Sequence, residues 1–113
     1  MNKQWIEWLE EHTQWDYDEK HEYFYEWIGA GFEDVIREVP PESLQGWQIR
    51  FAEECGYSIE IFHGKLNNDN VAWNYFIIST KGYDCHEKHG FKTYLEAFNS
   101  AWEKFLELQG ESL

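Results

Sequence analysis

The chain has 113 residues, 42% apolar and 19% aromatic, with a formal net charge of −13. This length suits one hydrophobic core and is short for two, and the apolar share excludes an intrinsically disordered chain. The charge opposes direct binding to nucleic acid or an acidic membrane surface and favours basic protein partners.

Residues 1–62 carry fifteen acidic side chains against four basic ones, whereas residues 63–113 carry seven against five. Solubility alone also rewards Asp and Glu. Seven Trp, seven Tyr and eight Phe are many for one small core, so some rings are expected at an interface. No run approaches the roughly 20 apolar residues of a membrane span. The start, Met1-Asn2-Lys3-Gln4-Trp5, lacks the basic and then apolar regions of a signal peptide. A cytoplasmic protein is therefore expected, with Cys55 and Cys85 as reduced thiols.

Trp5, Trp8, Leu9 and His12 recur at helical spacing and predict a first helix over about residues 2–11. From Asp18 the series Phe24, Trp27, Ile28, Gly31, Phe32, Val35, Ile36, Val39 follows i, i+3, i+4, i+7 and predicts a second helix, with Gly29 and Gly31 as weak points. On that helix Glu19, Glu22, Glu26 and Glu33 would fall within about 60° of one another, opposite the apolar stripe.

Pro40-Pro41 ends this element, and Pro41 suits the first turn of a helix reaching to about Cys55, with Gly56 as its stop. Trp47-Gln48-Ile49-Arg50-Phe51 also alternates as a strand would. Tyr57 to His63 and Val71 to Thr80 predict a β-hairpin across the turn residues 65–70. Lys81-Gly82 turns the chain again, Tyr83 to His86 offers a short third strand, and His89-Gly90 reads as loop. Thr93-Tyr94-Leu95-Glu96 is a capping box opening a helix to Leu108, whose apolar face includes Phe98, Ala101, Trp102 and Phe105. Residues 109–113 read as a frayed tail.

The expected fold is α+β in a single domain: acidic N-terminal helices (residues 1–39), then a central helix, a small antiparallel sheet and a closing helix packed on it (residues 40–108). The only cluster with metal-like character is Asp84-Cys85-His86-Glu87-Lys88-His89, where Cys85, His86 and His89 could supply zinc ligands and Cys55 or His63 a fourth; the spacing matches no zinc motif, and a solvated loop is the expectation. Neither cysteine occupies a nucleophile turn, and carboxylates on a solvated face lack the burial that general acid catalysis requires. No glycine-rich phosphate loop is present. The expectation is a binding protein, not an enzyme, with no metal or cofactor.

Carboxylates along a rod can occupy a basic groove that normally tracks a nucleic-acid backbone, although most acidic helix faces are simply solvated. On this reading Glu19, Glu22, Glu26 and Glu33 supply the charge, and the segment Trp15-Asp16-Tyr17-Asp18 supplies aromatic anchors and further acid. A second reading is a structural or adaptor protein that self-associates through exposed aromatics.

The stretch Pro40-Pro41-Glu42-Ser43-Leu44-Gln45-Gly46-Trp47, the hairpin, and Phe91-Lys92-Thr93-Tyr94-Leu95-Glu96-Ala97-Phe98 together resemble small proteins of phages and prophages of Bacteroidetes-like bacteria. The resemblance spans roughly Pro40 to Leu108, departs at Gly46 and Gln48, and implies helix at Trp47. It implies no enzyme or cofactor. In size and charge the chain is also similar to phage inhibitors of host defence nucleases, anti-CRISPR proteins among them. By analogy, the chain is expected to inhibit a basic nucleic-acid-handling partner in the cytoplasm of a host bacterium.

Overall fold

A computed structural model describes residues 2–29, 34–65, 71–82 and 84–111. Among these residues it holds three helices and two three-stranded antiparallel sheets, an α+β fold. The chain forms two compact units, residues 1–51 and 52–113.

In the N-terminal unit, helix α1 (Lys3–His12) starts where Asn2 Oδ1 accepts from the Trp5 amide at 3.0 Å. It ends where Thr13 turns both its amide (3.0 Å) and its hydroxyl (2.8 Å) onto the Leu9 carbonyl. Strands β1 (Asp16–Asp18), β2 (Tyr23–Gly29) and β3 (Asp34–Glu38) follow as an antiparallel sheet in that order.

This sheet replaces the second helix expected from Asp18 to Val39, of which Gly31 and Phe32 lie outside the described residues. The segment Tyr23-Phe24-Tyr25-Glu26-Trp27-Ile28 is dense in aromatic and β-branched residues, which favour a pleated strand, while Gly29 and Gly31 would each cost a helix interior about 1 kcal/mol. The alternation was hidden because both faces of β2 carry apolar side chains. Phe24 points to the covered face, where it meets Trp5 and Tyr17 at centroid distances of 6.0 and 5.0 Å. Tyr23, Tyr25 and Trp27 alternate with it and take the opposite face.

Helix α2 (Pro41–Glu54) forms as expected, and the alternative strand over Trp47–Phe51 does not. Its Phe51 is buried and packs on Trp5 and Trp8 at 5.4 and 5.3 Å. Among the described residues, Trp5, Leu9, Phe24, Val39 and Phe51 are the buried apolar side chains of this unit. The chain leaves α2 at Gly56, whose φ of +92° is a left-handed value that glycine adopts without strain.

In the C-terminal unit β4 (Tyr57–Gly64), β5 (Ala72–Ser79) and β6 (Cys85–Phe91) form the second sheet in order β4-β5-β6. The hairpin is as expected, although residues 66–70 of its turn lie outside the described residues, as does Tyr83 before the third strand. That strand is longer than the sequence suggested. The expected loop at His89-Gly90 is instead an irregularity inside β6: Trp73 pairs with Phe91 and Tyr75 with Lys88, so one extra residue bulges at Gly90, φ +91°.

Helix α3 (Tyr94–Glu111) covers the face carrying Ile59, Tyr75 and Ile77, using Ala97, Phe98, Ala101, Phe105 and Leu108. Thr93 Oγ1 accepts from the Glu96 amide at 3.1 Å as a capping box requires, but Glu96 Oε2 accepts from the Lys92 amide at 3.2 Å instead of that of Thr93. The frayed tail expected from residue 109 is helical to Glu111; Gln109 is buried, and its Nε2 donates to Cys55 Sγ at 3.3 Å.

Candidate functional surface of the N-terminal unit

Because Tyr23–Gly29 and Asp34–Glu38 are strands, Glu19, Glu22 and Glu26 do not share one helix face. Glu19 and Glu22 stand in the turn between β1 and β2, Glu26 lies within β2, and Glu33 lies outside the described residues.

Asp18 builds the turn. Its Oδ1 accepts from the amides of Lys20 (2.9 Å) and His21 (3.2 Å), and its Oδ2 lies 2.9 Å from His21 Nδ1. These bonds, the His21 side chain first, hold its carboxyl below the usual carboxylate range. Glu22 closes the turn at φ +59° and donates its amide to the Asp18 carbonyl at 2.8 Å.

Glu26 is a neutralised carboxylate. Register sets it opposite Arg37, whose Nε donates to Oε1 at 2.8 Å and whose second guanidinium nitrogen bonds the same oxygen. Oε2 accepts from the Trp15 indole at 3.2 Å. The Arg37 bond is the chief reason the Glu26 carboxyl is held low. Both oxygens are engaged, so Glu26 offers a partner little free charge.

Trp15 and Tyr17, expected as exposed anchors, lie half-buried on the covered side of the sheet. Trp15 meets Trp47 edge to face at 6.4 Å, and Tyr17 packs on Phe24. Desolvation, then Glu22, Glu19 and Asp18, push the Tyr17 hydroxyl pKa up. Asp16 lies on the opposite face and accepts from the Trp27 indole at 3.3 Å.

The fold gathers a different acidic set. Glu7 and Glu10 of α1 and Glu19 and Glu22 of the turn line one groove with Ile6 and Tyr17 in it. Lys3 also lines it and forms an exposed i,i+4 pair with Glu7 at 3.8 Å, a contact that solvent screens strongly. Glu7 and Glu10 lie off the apolar stripe of Trp5, Trp8, Leu9 and His12 in the sequence, but their meeting with the turn requires the tertiary fold.

On the open face of the sheet Trp27 is 55% and Ile36 48% exposed. The alternation Tyr23, Tyr25, Trp27 was the sequence signal for this face. Elsewhere, Cys85 and His86 are successive strand residues and therefore point to opposite faces of β6. Among the described residues no three His, Cys, Asp or Glu side chains converge as a metal site would require, and no helix is long and apolar enough to cross a membrane.

No protein-family model, curated protein or solved structure matches this chain.

Proposed function

We propose that the chain is an acidic binding protein that captures a basic, nucleic-acid-handling protein and blocks it. The observation that supports this reading is the groove in which Glu7, Glu10, Glu19 and Glu22 gather around Ile6 and Tyr17. The N-terminal unit as a whole holds twelve acidic residues against four basic ones. A clustered negative field steers association with a Lys- and Arg-rich groove of the kind that holds a nucleic-acid backbone, and the attraction weakens as salt screens it. A host defence nuclease such as a CRISPR effector has such a channel. The carboxylates come from a helix and a turn and not from one straight rod, so the mechanism is occlusion of the groove by charge and shape, without a match to phosphate spacing.

The test uses the full chain as bait in bacterial lysate at low and then raised salt. Capture of a nucleic-acid-binding protein that elutes with salt, and loses affinity for the Glu10→Lys, Glu19→Lys double variant, is the expected result. Unchanged capture by the folded double variant refutes the electrostatic reading. The exposure of Trp27 and Ile36 favours a second reading, self-association as a structural or adaptor protein. An oligomer in light scattering that persists at high salt would select it.

A further inference from the structure

The open face of the N-terminal sheet carries a pattern that solubility does not require. Tyr23, Tyr25 and Trp27 form an edge-to-face row along β2, with successive centroids 6.4 and 5.9 Å apart. Strand register places a carboxylate on each side of this row. Asp16 of β1 and Glu38 of β3 both pair with Tyr25, Asp18 pairs with Tyr23, and Ile36 pairs with Trp27. Side chains of paired residues share a face, with Cβ atoms about 4.5–5.5 Å apart. The central ring therefore has an acid across from it in both directions.

We infer that this face, with Tyr23, Tyr25 and Trp27 flanked by Asp16 and Glu38, docks an arginine-rich segment of the protein partner. The inference rests on the proposed function and names the chemistry of the segment held. Charge complementarity selects the occupant. A guanidinium can lie flat on an aromatic ring while its N–H fork reaches a neighbouring carboxylate, whereas an ammonium is a compact, strongly hydrated point charge. Lys20 lines the same depression as Tyr25 and Trp27.

Two other occupants fit worse. A second copy docked face to face about a two-fold axis would set carboxylate rows against each other. Single-stranded nucleic acid could stack bases on the rings, but its phosphates would meet acids where such sites place Lys and Arg.

The experiment is calorimetric titration of the full chain with nona-arginine and nona-lysine peptides at about 0.15 M salt. The two peptides carry the same charge per residue, so a difference between them reports stacking and bidentate bonding. Nona-arginine should bind about fivefold more tightly. Trp27→Leu should abolish most of that preference, and so should Glu38→Gln, which alters an exposed side chain without touching the core. Equal binding of both peptides, or an undiminished arginine preference in both variants, overturns the inference. An oligonucleotide that binds with the same dependence on Trp27 also overturns it. If the peptides bind equally and both lose affinity in the Glu10→Lys, Glu19→Lys variant, capture through the acidic groove stands while this docking face falls. If neither peptide binds, both fall.

Discussion

Replacing Asn74 by Ala should destabilise the C-terminal unit far more than the loss of one polar side chain suggests. Asn74 is 2% exposed in β5. Its Nδ2 donates to the carbonyls of Ala72 (2.9 Å) and Gly64 (3.3 Å), and its Oδ1 accepts from the Gly90 amide at 3.3 Å. One amide group thus ties the end of β4 and the bulge of β6 to the central strand. Truncation removes three hydrogen bonds from a buried side chain, worth about 1 kcal/mol each, a loss of about 3 kcal/mol. Domain stabilities run about 5–15 kcal/mol, so this is a substantial fraction of the total. For a chain of this size it corresponds to a fall in Tm of about 10 °C.

Urea denaturation followed by tryptophan fluorescence and far-ultraviolet circular dichroism measures the loss directly. Asn74→Asp separates the bonds. It keeps the acceptor for Gly90 but faces two carbonyls with a carboxylate, so its deficit at neutral pH should shrink as acid protonates the side chain and restores a donor. A parent-like midpoint for Asn74→Ala, within about 0.5 kcal/mol, would contradict this role for Asn74, because surface substitutions do no more than that.

The geometry fixes three further outcomes. Glu22→Gly should stabilise the protein by about 0.5–1 kcal/mol in the same assay, since it relieves a left-handed residue with a Cβ at φ +59°. Arg37→Ala should flatten the acid side of the stability profile. Glu26 has a lowered folded pKa, so its contribution is present at neutral pH and disappears as pH falls from the ordinary glutamate range through the lowered value; removing Arg37 removes the main cause of that shift. Titration of stability from about pH 7 to about pH 3 for parent and variant checks the sign. Cys55 should alkylate more slowly than the exposed Cys85 at neutral pH, because burial first and Glu54 second push its thiol up. Limited iodoacetamide treatment with peptide mass mapping reads the ratio, and equal rates would contradict it.

Much of the fold was legible because its signals are local. Apolar spacing marked α1, Pro40-Pro41 and Gly56 bracketed α2, and Thr93 with Glu96 opened α3, all within one or two helical turns. Alternation and strand formers marked β4 and β5. The concentration of acid toward the N-terminus is also a property of the sequence alone.

The candidate surface was less legible. A one-dimensional pattern could not decide whether Tyr23 to Ile28 winds as a helix or extends as a strand, because aromatic residues every second and every third position satisfy both periods. The decision came from pairing: β2 gains ladders on both edges, from β1 and from β3, while Phe24 fills the space beside Trp5. That choice moves Glu26 into the grasp of Arg37 and Trp15, carries Glu19 and Glu22 to α1, and exposes Trp27 beside Ile36. Local periodicity and composition marked which segments were strong helices and where the charge lay. Which carboxylates are free and which rings face outward was set by long-range pairing, because strand register joins residues far apart in the chain and turning one segment from helix to strand reassigns every side chain on it.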